Sequence, residues 1–261
     1  MRFIYILLII LNAFSSHAET TFNSKDFSAP QSPPLEVDDP GTPGPNAWEI
    51  NFTLQSETSS SEKVFRWPSL DINYGIGKSI QLKYEVPWTF TRDENAKNLS
   101  GFANSQVGIK YNFVNIEGFS LAIYPQQEFS TPTFSLYENT LEASGVVTTL
   151  PLLASFQIAS ITVCVNAGEH FVSNASASEE NGFFSGIGLG RPLTHSWSLM
   201  GDLWEEWFSV SGNRSSRFDI GAIHQIDKNT MIYLSGGHSL EVRSSDNPTL
   251  FGTVGVKILL F

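Results

Sequence analysis

Strict alternation of apolar and polar residues over residues 79–88 is the feature that most restricts how this chain can fold. Successive side chains of a β-strand point to opposite faces, so this segment has one apolar and one polar face. Residues 65–75 repeat the pattern, and Gly75 and Gly77 predict a tight turn between the two arms. A soluble sandwich could contain such a hairpin, so the rest of the chain must decide which medium the apolar face meets. The apolar positions of the second arm are Ile80, Leu82, Tyr84, Val86 and Trp88.

The same alternation recurs in about twelve segments, an even number as in bacterial single-chain membrane barrels. The predicted strands are residues 47–55, 65–75, 79–88, 105–114, 119–129, 144–154, 156–166, 183–191, 196–207, 215–226, 230–239 and 250–261.

The connections between these strands alternate in length. Short turns are predicted at residues 75–78, 115–118, around Ser155, at 192–195 and at 227–229. Long polar connections are predicted at residues 56–64, 89–104, 130–143, 167–182, 208–215 and 240–249. Outer-membrane barrels have short periplasmic turns and longer external loops, whereas a sandwich has no reason to sort its connections in this way. The sequence therefore predicts an all-β, up-and-down antiparallel transmembrane barrel over residues 46–261.

Charged residues within the predicted strands share the frame opposite the apolar residues. A Lys or Arg that faced lipid at mid-depth would cost about 2–4 kcal/mol, so this frame is assigned to the lumen. At about twelve strands the bore is intermediate, and these groups could either line a pore or pair with one another in a plugged interior. The candidate lumen-lining residues are Glu49, Asp71, Lys83, Glu85, Lys110, Asp202, Arg217 and Asp219.

The first 45 residues precede the barrel. Residues 1–18 have a basic start, a short apolar core and a small-residue site ending at Ala18, which predicts a signal peptide and a mature chain that begins at Glu19. Residues 19–45 are rich in Ser and Pro, which disfavour both helix and ladder strand. This periplasmic arm could be a flexible leader or could fold under or into the barrel, and its composition favours the leader.

Two further positions bear on the barrel. A chain that ends on Phe261 after alternating residues resembles the carboxy-terminal signal read by the barrel assembly machinery, although Phe261 shares a frame with Lys257 and Thr253. A bulge, or Phe261 turning at the interface, would reconcile this. Pro125 lies inside a predicted strand of a closed sheet, which predicts a bulge or a strand end there.

Composition excludes several classes of function. The net charge of -11 argues against nucleic-acid partners, because phosphate binding needs clustered Lys and Arg. The single cysteine, Cys164, permits no intramolecular disulfide, and no cofactor motif is present. The histidines are scattered without metal-ligand spacing. A loop containing Glu169, His170, Glu179 and Glu180 could hold a cation loosely, but a solvated acidic loop is the favoured interpretation.

Several segments resemble one family of bacterial outer-membrane barrels, the family named for transport in the meta-cleavage pathway of phenol degradation. The similar segments are residues 39–45, 47–51, 70–75, 80–88, 108–111 and 123–126, together with the closing Phe261. The resemblance spans nearly all of the mature chain and is strongest over residues 39–88. It implies a monomeric barrel in the outer membrane with a loosely defined transport role, and it supplies no functional residues.

The predicted function is passive transport of small solutes, with aromatic or hydrophobic molecules suggested by the resemblance alone. The expected partners are outer-membrane lipids, the barrel assembly machinery and a small-molecule solute. One alternative is a closed-lumen structural or surface-interaction barrel. A less favoured alternative is a lipid hydrolase. Its nucleophile would be Ser239 with His238 as the base, or Ser196 with His195 as the base. Neither pair lies in a fuller hydrolase motif, so the chain is predicted not to be an enzyme.

Overall fold

The structure of the protein is a computed structural model that describes residues 35–60, 62–93, 98–129, 131, 146–173, 181–209, 211–212, 214–241 and 250–261. Its strands are β1 (Trp48–Thr58), β2 (Glu62–Ile76), β3 (Ile80–Asp93), β4 (Leu99–Phe102), β5 (Ser105–Ile116), β6 (Phe119–Ile123), β7 (Gln126–Phe129), β8 (Val146–Ile158), β9 (Ile161–Ser173), β10 (Gly182–Pro192), β11 (Trp197–Phe208), β12 (Arg214–Gln225), β13 (Thr230–Glu241) and β14 (Leu250–Leu260).

These strands form one closed antiparallel barrel of twelve staves. From β8 to β14 and from β1 to β3 each strand pairs with its sequence neighbours, and β1 pairs with β14 from Trp48–Leu260 to Thr58–Leu250, which closes the sheet. Strands β4 and β5 together make one stave beside β3, and β6 and β7 together make the next, beside β8. The ladder from β1 round to β14 is therefore continuous, as a barrel in hydrocarbon requires, and among the described strands only the short β4 pairs on one side alone. The predicted all-β barrel of about twelve strands is confirmed.

The interruption at Pro125 is confirmed as a strand break. Strand β6 ends at Ile123 and β7 begins at Gln126. The backbone N–H of Tyr124 donates to the carbonyl of Pro151 at 3.0 Å, and the carbonyl of Pro125 accepts from Ile109 at 3.0 Å. The two neighbouring staves therefore stay hydrogen-bonded across the residue that has no N–H to contribute.

The turn predicted around Ser155 is wrong. Ser155 pairs with Cys164 inside the β8–β9 ladder, and the chain reverses at residues 159–160 instead. Ala159 takes the positive φ of 53° that this turn requires. The turn residues are Ala159 and Ser160, and without Gly, Pro, Asn or Asp the stronger sequence signals of a turn are missing.

The long connections are shorter than predicted because the strands run beyond the apolar belt. The β2–β3 ladder, for example, continues to the pair Glu62–Asp93, well inside the segments predicted as loops. Beyond the belt both faces of a strand meet water or polar groups, so the sequence no longer alternates although the backbone ladder persists. The pattern of hydrophobicity therefore locates the membrane-embedded part of each strand and not its end.

The apolar frame faces outward, as predicted. On β3, Leu82 and Tyr84 are 39% and 42% exposed, whereas Gln81, the residue before Leu82, is 5% exposed. Aromatic rings mark the two ends of this surface: Trp48 lies 4.6 Å from Tyr74 at the end with the short turns, and Trp207 lies 5.7 Å from Phe183 at the end with the long connections. Such rings favour the interface between hydrocarbon and headgroups.

Candidate functional site: the barrel lumen

The eight charged residues predicted to line the lumen all lie on the inward frame. Glu49, Lys110, Asp202 and Asp219 are at most 5% exposed. Asp71, Lys83 and Glu85 line an internal cavity, and Arg217 contacts the chain that enters the bore. Whether they act on a passing solute stays a prediction.

Part of the inward set is one ionic network on β1, β2, β3 and β14. Lys83 Nζ lies 2.7 Å from Glu85 Oε2, and Ser69 donates to the same carboxylate at 3.1 Å. Lys257 Nζ lies 3.2 Å from Glu49 Oε1, with both side chains almost fully buried. Pairing lets these charges remain inside the wall of the barrel without an uncompensated desolvation cost.

Asparagine and glutamine side chains join the charged groups of this wall. Asn51 Nδ2 donates to Glu49 and to Asp71, each at 3.1 Å. Asn73 donates to Asp71 at 3.1 Å and accepts from Gln81 at 2.6 Å. Sequence analysis did not select these amides, because an isolated Asn or Gln on a polar frame carries no signal of its own.

Of the predicted arm, residues 19–34 lie outside the described residues, as does the predicted signal peptide, and residues 35–45 take the second form considered above, a segment that folds into the barrel, and not the leader that their composition favours. Residues 36–40 lie inside the barrel, where side chains of the wall bind several of their backbone groups. The Val37 N–H donates to Asp202 Oδ2 at 3.0 Å, and Asn166 exchanges two hydrogen bonds with Asp38. Lys110 Nζ donates to the Asp39 carbonyl at 2.8 Å. A segment too rich in Pro to join a ladder thus finds its partners among polar side chains.

The arm enters from the end of the barrel with the short turns. Thr42 Oγ1 donates to the Lys78 carbonyl at 3.2 Å, next to the β2–β3 turn. Asn46 N–H donates to the Gly75 carbonyl at 2.9 Å, and an added Cβ at Gly75 would collide with the carbonyl of Gly44. Close backbone approach therefore explains the glycine at position 75.

Small residues on the opposite wall make room for the arm. A Cβ at Gly186 would lie 2.7 Å from Val37, and one at Gly188 would lie 3.2 Å from it. At Gly221 an added Cβ would lie 3.3 Å from Leu35. Val37 is consequently 1% exposed, packed against the inner surface of β10. The glycine run of β10 is shaped to hold this segment.

On the other side of the arm, toward β1, β2, β3 and β14, the lumen contains a cavity of about 300 Å³. Its charged lining is mainly acidic, with Lys83 as the single cation among the lining residues. Two rings, Tyr124 and Tyr233, also face the space. The acidic groups are Glu36, Asp38, Glu57, Asp71, Glu85 and Asp219.

The candidate hydrolase pair His238 and Ser239 does not form a site. His238 is exposed on the outward frame of β13, and Ser239 is 2% exposed on the inward frame. Neighbouring residues of a strand point to opposite faces, so the imidazole cannot serve this hydroxyl as a base. His195 and Ser196 lie in the turn at residues 193–196, which joins β10 to β11 at the end of the barrel wall.

The loop residues considered for a loose cation site do not face one another either. Glu169 lies on the outward frame of β9, whereas His170 points inward with Nδ1 3.3 Å from Glu206. Glu179 and Glu180 lie outside the described residues. Within the described ranges no three His, Cys, Asp or Glu side chains are close enough to hold a metal ion.

The last strand resolves the frame of the terminal residue. Lys257 points inward and Leu259 is 9% exposed, whereas β14 ends at Leu260 and Phe261 is 82% exposed beyond it. Phe261 therefore leaves the alternation of the strand at its end. Lys257 is an inward charge that sequence analysis noted only as a discrepancy.

A closed twelve-stave barrel with an apolar outside, aromatic ends and a charged bore has the fold of an outer-membrane β-barrel. Known structures share it. An outer-membrane channel from Pseudomonas putida F1 superposes with a TM-score of 0.70 at 12% identity, covering 87% of this chain and all of the other. The KdgM porin, solved with disordered oligogalacturonate, gives 0.56 at 14% identity, covering 80% of this chain and 98% of the porin. The NanC porin gives 0.55 at 7% identity, covering 81% and 98%.

At these identities the likeness shows the fold alone. No protein-family model matches this chain. No curated protein matches it either.

Proposed function

We propose that this protein is a passive channel of the outer membrane for small solutes. The observation that carries the proposal is the lumen, a charged and hydrogen-bonded bore with a cavity of about 300 Å³ beside the arm. In a plugged interior we would expect these groups to pair with one another, whereas six carboxylates and a single cation line the open space. The porin and channel names of its structural neighbours support the proposal.

The charge of the cavity bears on the class of solute. Six carboxylates and one ammonium line it, so a cation or a neutral polar solute meets a more favourable potential there than an anion does. The rings of Tyr124 and Tyr233 also offer a surface to an aromatic solute. Transport of phenols or other aromatic molecules is therefore the finer hypothesis, suggested by the family resemblance.

The test is conductance of the purified mature chain in planar bilayers, together with solute flux into liposomes. We expect small currents with a reversal potential that reports cation preference, and faster flux of neutral phenols than of benzoate. Replacing Asp71 and Glu85 by Asn and Gln should reduce the cation preference, whereas the matched pair Glu117→Gln and Asp227→Asn, in turns outside the bore, should leave it unchanged.

The competing function is a closed barrel whose arm is a permanent plug. Deletion of residues 19–45 separates the two. Current from the full mature chain supports the channel, and current only after deletion shows that the arm must move for passage. Absence of current and flux from both forms would remove the channel proposal.

We also propose that the chain reaches the outer membrane through the barrel assembly machinery, which would read Phe261. Its exposed position beyond β14 leaves the ring accessible to a partner. Removal of Phe261 should lower the folded fraction in the outer membrane of expressing cells, measured by heat-dependent gel mobility, without changing refolding of the purified chain in detergent.

A further inference from the structure

A basic pair faces outward at the external end of the barrel. Lys63 and Arg92 are direct neighbours across the β2–β3 ladder, and both side chains are exposed. Thr58, paired with Lys63, continues the row onto β1. Two like charges placed side by side repel each other, so an anion that contacted both would stabilise the pair.

The described outward positions near this pair contain no carboxylate. On β13, β14, β1, β2 and β3 the outward frame carries apolar, hydroxyl and glycine residues together with His238, Lys63 and Arg92. The other side of the barrel is different, since the outward Arg214 is ion-paired with the outward Glu205. Among the outward side chains that the structure describes, the pair at 63 and 92 therefore gives this face an excess of positive charge, although the whole chain is acidic.

A groove of about 400 Å³ opens on the same face. Its floor is formed by Gly236 and Gly252, which pair directly across β13 and β14 and leave the outward surface without side chains. Phe218, His238 and Leu250 rise around it. Leu250 also pairs with Thr58, so the groove and the basic pair are joined along one row of the sheet.

The two features lie at different distances from the strand ends that carry the long connections. Lys63 and Arg92 lie one residue from those ends of β2 and β3. Gly252 lies two residues from that end of β14, and its partner Gly236 lies five residues from that end of β13. The groove therefore begins just below the level of the basic pair and extends further from the strand ends on β13. A molecule that filled both would have an anionic head above and a hydrocarbon tail below.

We propose that this face binds a phosphorylated glycolipid of the outer leaflet, of the lipid A type. A phosphate lies between Lys63 and Arg92, and one acyl chain lies in the groove over Gly236 and Gly252. The site rests on the proposed orientation in the outer membrane, with the long connections outside. It is independent of whether the lumen conducts.

The head contact is tested by binding of purified bis-phosphorylated lipid A to the folded mature chain in detergent, measured by native mass spectrometry. The double variant Lys63→Gln/Arg92→Gln should bind at least tenfold more weakly, since both charge-assisted contacts to the phosphate are removed. The matched variant Arg214→Gln/Lys228→Gln removes the same net charge elsewhere and should bind like the parent. If both double variants bind lipid A as tightly as the parent, or if both lose binding to the same extent, the proposed site is wrong.

The tail contact is tested separately by filling the groove. A Cβ at Gly252 would lie 3.4 Å from its nearest neighbour, the carbonyl of Ser235, so Gly252→Val is compatible with folding. It should weaken lipid A binding by about tenfold, because several methylene groups lose their contact. The control Ala167→Leu adds the same number of carbon atoms to the outward face of β9 and should have no effect.

Two comparison lipids decide the identity of the head. Lipid A without phosphates should bind no better to the parent than to Lys63→Gln/Arg92→Gln. Phosphatidylglycerol should bind more weakly than lipid A. If phosphatidylglycerol binds as tightly and depends on the same residues, the glycolipid assignment is wrong. Heat-dependent gel mobility of each variant confirms that the proteins compared are folded.

Discussion

The side chain of Asn166 and the backbone of Asp38 exchange two hydrogen bonds. The Asp38 N–H donates to Asn166 Oδ1 at 2.7 Å, and Asn166 Nδ2 donates to the Asp38 carbonyl at 2.9 Å. The amide thus replaces the neighbouring strand that an extended segment would normally have. It ties the arm to β9 in the middle of the bore.

Asn166→Ala should loosen the arm. Two hydrogen bonds of about 0.5–1.5 kcal/mol each are removed, so the bound state of the arm loses about 1–3 kcal/mol. In planar bilayers we expect more frequent openings to a larger conductance level, approaching that of a chain without residues 19–45. Asn115→Ala, near the β5–β6 turn, is the control. Unchanged conductance in Asn166→Ala would show that these bonds do not hold the arm.

Gly188→Val should displace the arm by overlap. An added Cβ at position 188 lies 3.2 Å from Val37, and the branched methyl groups need space that Val37 occupies. Proteolysis of the folded protein should then cut within residues 35–45 at least several-fold faster. The double variant Gly188→Val/Val37→Gly should restore protection. Failure of the second change to rescue would place the effect in the barrel wall and not in the arm.

Lys257→Met should destabilise the barrel at its closing seam. The variant leaves Glu49 buried without its cation, and breaking such a pair costs about 3–5 kcal/mol. We expect a lower urea midpoint for unfolding from detergent. Adding Glu49→Gln should recover part of the loss. Lys78→Met, in the exposed β2–β3 turn, should leave the midpoint unchanged, and a similar drop there would contradict the assigned cause.

Single cysteines on β3 should report the two faces in a Cys164→Ser background. Positions 83 and 85 border the internal cavity, so water-soluble thiol reagents should reach them only through the bore. Positions 82 and 84 face outward and should be labelled by lipid-soluble reagents in a bilayer. Labelling in the reverse sense would invert the inside and outside of the barrel.

The sequence predicts those features of the structure that depend on neighbouring residues of one strand. Leu82 and Gln81 reveal their faces because adjacent residues of a strand must diverge, and this repeats along every stave. The turn at residues 159–160 escaped prediction because Ala159 adopts its positive φ without a turn-forming side chain. Asn166 and Gly188 escaped because their partners lie in the arm, far away in the sequence.

The sequence by itself determined the class of fold, the membrane-facing frame and the inward frame of charges. These follow from alternation and from the cost of placing charge in hydrocarbon, which act on each strand separately. Only the tertiary structure decided which inward groups meet, where the arm lies and which outward cations share a face with a groove. Those relationships depend on barrel closure and strand register, which bring distant segments within hydrogen-bond distance and leave no local trace in the chain.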